Sequence, residues 1–486
     1  MQHLFLAAFQ VPYAIGNHSY RVLQPHRYLA SQSSTSHKKH VLQVAYNLIC
    51  SLFVSGALVP RRVYIETYGC TLNRADSAIM KTVLLERGYE IVERPEEAEV
   101  VVLNTCIVRH DTEVRMLKRI EELGKLCKKL VVVGCMARAL PAKVRKAAPN
   151  SSLITPQAVY RVVEAVESEQ PIVLHSEVKE YPILPKVVDG IIASIPVAEG
   201  CLDECSFCIV KIARPHLKSV PIERVMETVK EVLKKGAVEI EITAQDLSVY
   251  GYDVYGKYAL PELINSILEI EGGYMIRLGQ LNPRHIINYL DEIIEVLKNP
   301  KVYKHLHIPV QSGDNRVLKL MNRGHSVEDF IEIVSEVRKK IEGVHIATDI
   351  IVGHPGEDEE AFAASVKLIA EYGVDRVHIA RYSPRPFTKS SLMPQIPDPV
   401  KKTRSSHIEK VYEEVALKIN RDYIGARALV WITEMDMIRG RAVGRLFNYR
   451  PVVLDVGGSS LGKRALIEII DATFYDLRGR VLELIN

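Results

Sequence analysis

Cys201, Cys205 and Cys208 fall within EGCLDECSFC, a C-x3-C-x2-C spacing that gathers three thiolates on one short loop. Three soft ligands and one open position suit an iron–sulfur cubane that keeps an iron free for an external ligand. Zinc is the alternative for clustered thiolates. A structural zinc site, however, takes four protein ligands, commonly as C-x2-C pairs, and no second pair or suitably spaced His lies nearby. Eight cysteines in 486 residues are too few for a disulfide scaffold. Cys70, Cys106 and Cys135 make a second, dispersed set, so two groups of three suggest two metal centres. Cys127, expected mid-helix, and Cys50 are left outside both.

The second set has a common local setting. RVYIE (62–66) reads as a strand leading to Cys70, EVVVLNTC (99–106) as one ending at Cys106, and KLVVVGC (129–135) as one ending at Cys135. Helical patterns alternate with these runs, as in a flavodoxin-like parallel α/β domain, whose ligand site lies beyond the carboxyl ends of its strands. Pro171, Pro182 and Pro185 break the pattern, and 171–190 is expected to be a linker. A second series follows, with candidate strands at 191–198, 237–243, 274–279, 304–309, 344–351 and 375–381. Six strand–helix units predict a partial (β/α)6 barrel with its chemistry at the C-terminal strand ends, and the Cys201 loop follows the first strand. After a proline-rich stretch and a helix at about 400–421, short β-like runs (ARALVWIT, GRAVGRL, RPVVLDV, KRALIEII) predict a small antiparallel β-barrel. The expected domains are therefore 61–172, 187–421 and 423–486.

Residues 1–60 read as foreign to this body. They hold Arg21, Arg27, Lys38 and Lys39, no acidic residue, and five of the sixteen His. A transit peptide, or a weak membrane span or signal core at 41–59, are readings of this leader; a poorly ordered extension or an upstream start fits its diluted hydrophobicity better. The net charge of +4 belongs to the leader alone, since the other 59 basic residues equal the 59 acidic ones. Global charge therefore gives no argument for a nucleic-acid partner, and basic patches must be sought locally.

EGCLDECSFCIVKIARP, ITAQDLSVYG, HIPVQSGDNRVLKLMNRGHSVEDF and TDIIVGHPGED, with ETYGCTLN, LNTCIVR and VVGCMA upstream, resemble the radical S-adenosylmethionine methylthiotransferases. The resemblance spans about 61–486 and is greatest to the archaeal and eukaryotic branch acting on tRNA N6-threonylcarbamoyladenosine. It implies a [4Fe-4S] cluster on Cys201, Cys205 and Cys208 that binds S-adenosylmethionine and releases a 5′-deoxyadenosyl radical. It implies a second [4Fe-4S] cluster on Cys70, Cys106 and Cys135 that binds or supplies sulfur. Two S-adenosylmethionine molecules would serve, one to methylate the sulfur and one to activate the base C2–H. The protein's own part is positioning and exclusion of water.

For the cofactor's nucleoside, Gln245 and Asp246 end the second barrel strand and IIVGHPGE ends the fifth. Gly353 and Gly356 would allow close backbone approach to an adenine or ribose, though Pro-Gly there also suits an ordinary turn. His354 stands where the family usually has Phe. Ser312, Arg323 and Asp349 are weaker candidates, since such charges often form structural ion pairs. In the terminal module Arg439, Arg441, Arg445, Phe447, Tyr449 and Arg450 lie in an acid-free run from 437 to 454, which suits phosphate contacts and stacking on unpaired bases. A solvated hairpin with core aromatics is the alternative.

The expected protein is thus a cytoplasmic, monomeric tRNA methylthiotransferase without a membrane role. Its partners would be a tRNA anticodon stem-loop, a ferredoxin- or flavodoxin-like one-electron donor and a sulfur source. Isopentenyladenosine in tRNA is the rival substrate, a ribosomal-protein side chain a more distant one, and a non-catalytic iron–sulfur RNA-binding protein the alternative class.

Overall fold

Val100–Thr105 and Leu130–Gly134 are buried along their whole length, as parallel strands covered on both faces must be. They form β3 and β4 of a six-stranded parallel sheet with β1 (Arg62–Thr67), β2 (Glu90–Val92), β5 (Ser152–Ile154) and β6 (Val173–Leu174), in the order β2-β1-β3-β4-β5-β6. The strand order reverses beside β1. The carboxyl ends of β1 and β3 therefore make the switch-point crevice where such sheets hold ligands, and Cys70 and Cys106 follow those two strands. The computed structural model describes residues 61–436, 440–457 and 460–485. The leader 1–60, with Cys50 and the apolar stretch 41–59, lies outside the described residues, as does Arg439.

Cys127 does not lie mid-helix: it caps the helix His110–Leu126, where its sulfur sits 2.8 Å from the Leu123 carbonyl oxygen. The stretch 171–190 is not a free linker either. It supplies β6, buries Tyr181 and Leu184 in the main core and carries Lys179 into the interior, so Pro171, Pro182 and Pro185 shape a packed strap.

The central domain has parallel strands β7 (Ile192–Pro196), β10 (Glu239–Thr243) and β11 (Met275–Leu278), then β12 (His305–His307), β13 (His345–Val352) and β14 (Arg376–Arg381). Bridges Ile276↔Val302 and Gln280↔His307 join the two halves, giving the six-stranded partial barrel. A two-stranded antiparallel pair, β8 (Ala198–Glu199) with β9 (Lys218–Ser219), flanks the cysteine loop. Amphipathic helices cover the outside. One, Val327–Lys340, opens with a capping box in which Ser326 Oγ accepts from the Asp329 N–H and the Asp329 carboxylate accepts from the Ser326 N–H. After the helix Asp398–Arg421, β15 (Arg427–Asp436), β16 (Arg441–Arg445), β17 (Pro451–Leu454), β18 (Arg464–Ala472) and β19 (Leu477–Ile485) close a small barrel. Among the described residues no helix is long and apolar enough to cross a membrane.

Candidate active site

The three dispersed cysteines come together at the carboxyl ends of β1, β3 and β4. A Cβ on Gly69 would lie 3.1 Å from Cys106 Sγ, so the Cys70 loop runs directly against Cys106. Asn73, one turn into the helix after Cys70, ties the set together. Its Nδ2 donates to the Tyr68 and Thr105 carbonyl oxygens at 2.8 and 3.0 Å, and its Oδ1 lies 4.0 Å from Cys135 Sγ. Arg214 Nη2 holds that same Oδ1 at 3.1 Å from the central domain. Arg214 belongs to a closed ring of two cations and two carboxylates. It pairs with Asp76 and Glu199, both at 2.5 Å; Lys179 pairs with Asp76 as well and with Glu199 at 3.2 Å; no member is more than 2% exposed. Burial alone would raise the Asp76 carboxyl, but Arg214 and Lys179 more than offset it and hold it below its ordinary range. Burial pushes the Cys106 thiol up and the Cys135 thiol up to about 12. Thiols so placed are poor nucleophiles by themselves and ionise on binding a metal.

The C-x3-C-x2-C loop is built as tightly. Gly200, at φ +81°, precedes Cys201 because a Cβ there would lie 2.0 Å from the His216 carbonyl oxygen. Gln245 Oε1 accepts the Gly200 N–H at 2.6 Å, and Lys211 Nζ donates to the Cys201 carbonyl at 2.6 Å. Between the cysteines, buried Asp203 accepts from Asn282 Nδ2 at 2.6 Å, pairs with Arg284 at 2.9 Å and lies 3.2 Å from His285 Nε2. The Asp203 N–H lies 3.3 Å from Cys201 Sγ, and Arg323 Nη1 lies 3.2 Å from Cys205 Sγ. Such N–H···S contacts orient and tune iron–sulfur ligands, so the residues present fit a cluster here. Burial pushes the Cys201 and Cys208 thiols up.

The nucleoside candidates divide. Asp246 is buried at the end of β10, 3.7 Å from Cys201 Sγ, and accepts from the Ser248 N–H; burial, then the Asp203 charge among smaller effects, raises its carboxyl. Ser312 is buried, and its Oγ accepts from the Asp314 N–H at 3.3 Å. Asp349 accepts from His307 Nε2 at 3.0 Å beside His378, with ligand atoms of all three within 4.8 Å of one another. The open face expected at Gly353 is closed, because a Cβ there would meet Lys401 Cγ at 2.4 Å; at Gly356 it would meet Leu320 Cδ1 at 2.3 Å. His354 is a buttress: its Nε2 lies 2.8 Å from Ser390 Oγ, which bonds Ser206 Oγ at 2.7 Å, and its ring meets Phe207 edge-on.

The stretch expected to meet RNA mostly docks the terminal barrel instead. Arg450 is buried, 2.5 Å from Asp375, and stacks over the Tyr423 ring. Tyr449 donates to Glu239 Oε1 at 3.0 Å and packs on Tyr303. Arg445 pairs with Glu434 and lies over the Tyr449 ring. The Phe447 carbonyl accepts from the Lys304 N–H, though its ring stays half exposed, and Arg441 is exposed with Asp455 at 3.3 Å. Asn73, Arg214 and Asp203 were missed as site residues, although each stands within a motif already quoted; their partners lie far away in the chain.

Residues 62–155 match the uncharacterized protein family UPF0004, 195–369 the radical SAM superfamily and 421–482 the TRAM domain. The chain is 39% identical over 432 residues to a probable threonylcarbamoyladenosine tRNA methylthiotransferase of Pyrococcus abyssi, covering 87% of this chain and 99% of that one. It is 33% identical over 433 residues to the human threonylcarbamoyladenosine tRNA methylthiotransferase, covering 86% of this chain and 74% of that one. Among solved structures, the radical S-adenosylmethionine methyltransferase TsrM from Kitasatospora setae shares the fold at a TM-score of 0.51 and 12% identity, covering 76% of this chain and 78% of that one.

Proposed function

The chain belongs to the threonylcarbamoyladenosine tRNA methylthiotransferase family, and from that premise we propose that it is a cytoplasmic enzyme inserting a methylthio group at C2 of N6-threonylcarbamoyladenosine beside the tRNA anticodon. The reading is supported above all by the way the two cysteine sets meet. Ile209, which directly follows Cys208, and Ala213, five residues beyond Cys208, share one core with Ile107 and Cys135. A C–S bond between a base and a donated sulfur needs both groups on one substrate at once, and a common seam allows that.

Cys201, Cys205 and Cys208 would hold a [4Fe-4S] cluster that, with S-adenosylmethionine bound, would supply radical chemistry, and Cys70, Cys106 and Cys135 would hold a second that would supply the sulfur. The chain's residues do the rest. Asp203, Gln245 and Lys211 fix the first loop, Arg323 directs charge at Cys205, and Asn73 fixes the second set. Asp246, Ser312 and Asp349 are the polar groups proposed on the nucleoside side. A TRAM-type barrel supports RNA binding, and we assign RNA contact to Arg441 and Phe447, the two exposed candidates among the described residues. A ferredoxin- or flavodoxin-like electron donor and a sulfur source complete the proposed partners of a monomer.

Anaerobic reconstitution with iron, sulfide, S-adenosylmethionine and a reductant should yield 5′-deoxyadenosine, and Cys201→Ala should abolish it. Cys106→Ala should keep cleaving S-adenosylmethionine yet form no methylthio nucleoside. Intact clusters without any 5′-deoxyadenosine would favour the non-catalytic RNA-binding alternative.

A further inference from the structure

Arg109 stands three residues beyond Cys106, at the start of the helix His110–Leu126. Its backbone is held from the barrel side. Arg385, four residues past the end of β14, donates to the Ile107 carbonyl at 2.8 Å and pairs with Glu113 at 2.7 Å, so the segment carrying Arg109 is clamped against the mouth of the barrel. Arg385 is itself neutralised by Glu113. Arg109 is exposed and has no carboxylate within ion-pair distance among the described residues.

The barrel itself carries a polar wall. Asp349 and His378 are register partners on β13 and β14, so their side chains share a face, and His307 completes the group from β12. The Arg109 charge acts on both Asp349 and His378. Asp349 is already engaged by His307 at 3.0 Å. His307 and His378 also line a cavity of about 300 Å³ that reaches the terminal barrel past Arg277, Arg445 and Tyr449. An exposed cation whose charge reaches Asp349 and His378 thus stands next to the residues proposed to hold the sulfur-supplying group.

We propose that Arg109, with His307 and His378, selects the substrate nucleoside by pairing with the carboxylate of its N6 substituent. The inference rests on the function proposed above and names the residues that read the substrate. In adenine, C2 and C6 flank N1, so whatever holds the N6 substituent must sit beside whatever reaches C2. Arg109 meets that condition through its nearness to Cys106. A threonylcarbamoyl group brings a carboxylate, a hydroxyl and a urea to this wall. An isopentenyl group brings none of them and would cover the Arg109 cation and the His378 imidazole without giving either a polar partner, which is the strongest basis for rejecting an analogue.

The test uses the full reconstituted chain and three anticodon hairpins carrying threonylcarbamoyladenosine, its neutral methyl ester, or unmodified adenosine, with affinity read by fluorescence anisotropy. The unaltered protein should prefer the carboxylate to the ester by about 10- to 100-fold, as for one charge-assisted pair. Arg109→Gln should erase that preference while leaving ester affinity and iron content unchanged, Arg109→Lys should restore part of it, and His378→Asn should reduce it. A uniform loss across all three hairpins would make Arg109 a phosphate or structural contact, and an undiminished preference in Arg109→Gln would make it a bystander; either overturns the assignment. If the unaltered protein makes no methylthio product from any hairpin, the functional reading itself fails and the inference falls with it.

Discussion

Replacing Lys179 with Met removes one cation from the buried ring and leaves the Asp76 and Glu199 carboxylates with Arg214 alone. Breaking one partner out of a buried ionic group costs about 3–5 kcal/mol, because the charge left behind is neither solvated nor paired. At about 2–4 °C per kcal/mol for a large domain, the unfolding midpoint should fall by roughly 10 °C. The loss should be partly reversed by adding Asp76→Asn, which restores the balance between Arg214 and Glu199; coupling between such neighbours runs to about 1–3 kcal/mol. The effect should also reach the cysteines. Arg214 holds Asn73 Oδ1 at 3.1 Å, and Asn73 in turn holds the backbone before Cys70 and Cys106. With Cys201, Cys205 and Cys208 all changed to Ala, iron bound by the remaining set should fall when Lys179→Met is added. Differential scanning fluorimetry and iron analysis read the two effects. A midpoint shift within the scatter of surface substitutions, or a large shift with unchanged iron, would refute the link from ring to cysteines.

Arg323→Gln should lower the reduction potential of the cluster on the C-x3-C-x2-C loop, because it removes a cationic donor 3.2 Å from Cys205 Sγ; a redox titration followed by electron paramagnetic resonance checks it. Burial pushes His345 down to about 3 and His305 well below its ordinary value, where the terminal barrel docks beside Asp375, Arg445 and Arg450. Because the folded pKa is depressed, this stability is complete above about pH 6.5 and is lost as the pH falls: between about pH 7 and pH 5 the unfolding free energy should drop by about 2 kcal/mol from His345 alone, read by denaturant titration. Gly353→Ala should destabilise by about 1–2 kcal/mol from its φ of +76°, and more where Lys401 must move. A shortened chain beginning at Arg61 should bind as much iron as the full chain, measured by iron content.

The fold was largely legible because buried parallel strands are continuous apolar runs: VVVLNT and LVVVG announce themselves, and each ends at a cysteine. The small strands β5 and β6 and the strap around Lys179 were not, since their burial is decided by neighbours rather than by their own pattern. The same reason explains the misread terminal stretch. Arg450 and Tyr449 look unpaired in sequence because Asp375 is 75 residues away and Glu239 is 210 away. Arg214 and Asp76, 138 residues apart, were hidden in the same manner. Cysteine ligands can be read from spacing and strand ends; the groups that orient them come from wherever the fold brings a complementary charge.

Nucleoside mass spectrometry of tRNA from cells lacking this gene decides whether the chain performs the proposed methylthiolation. The methylthio form of threonylcarbamoyladenosine should be lost and the unthiolated nucleoside accumulate, with restoration by the intact gene but not by Cys106→Ala or Cys201→Ala. Loss of only the isopentenyl derivative, or unchanged levels of both methylthio nucleosides, would contradict it.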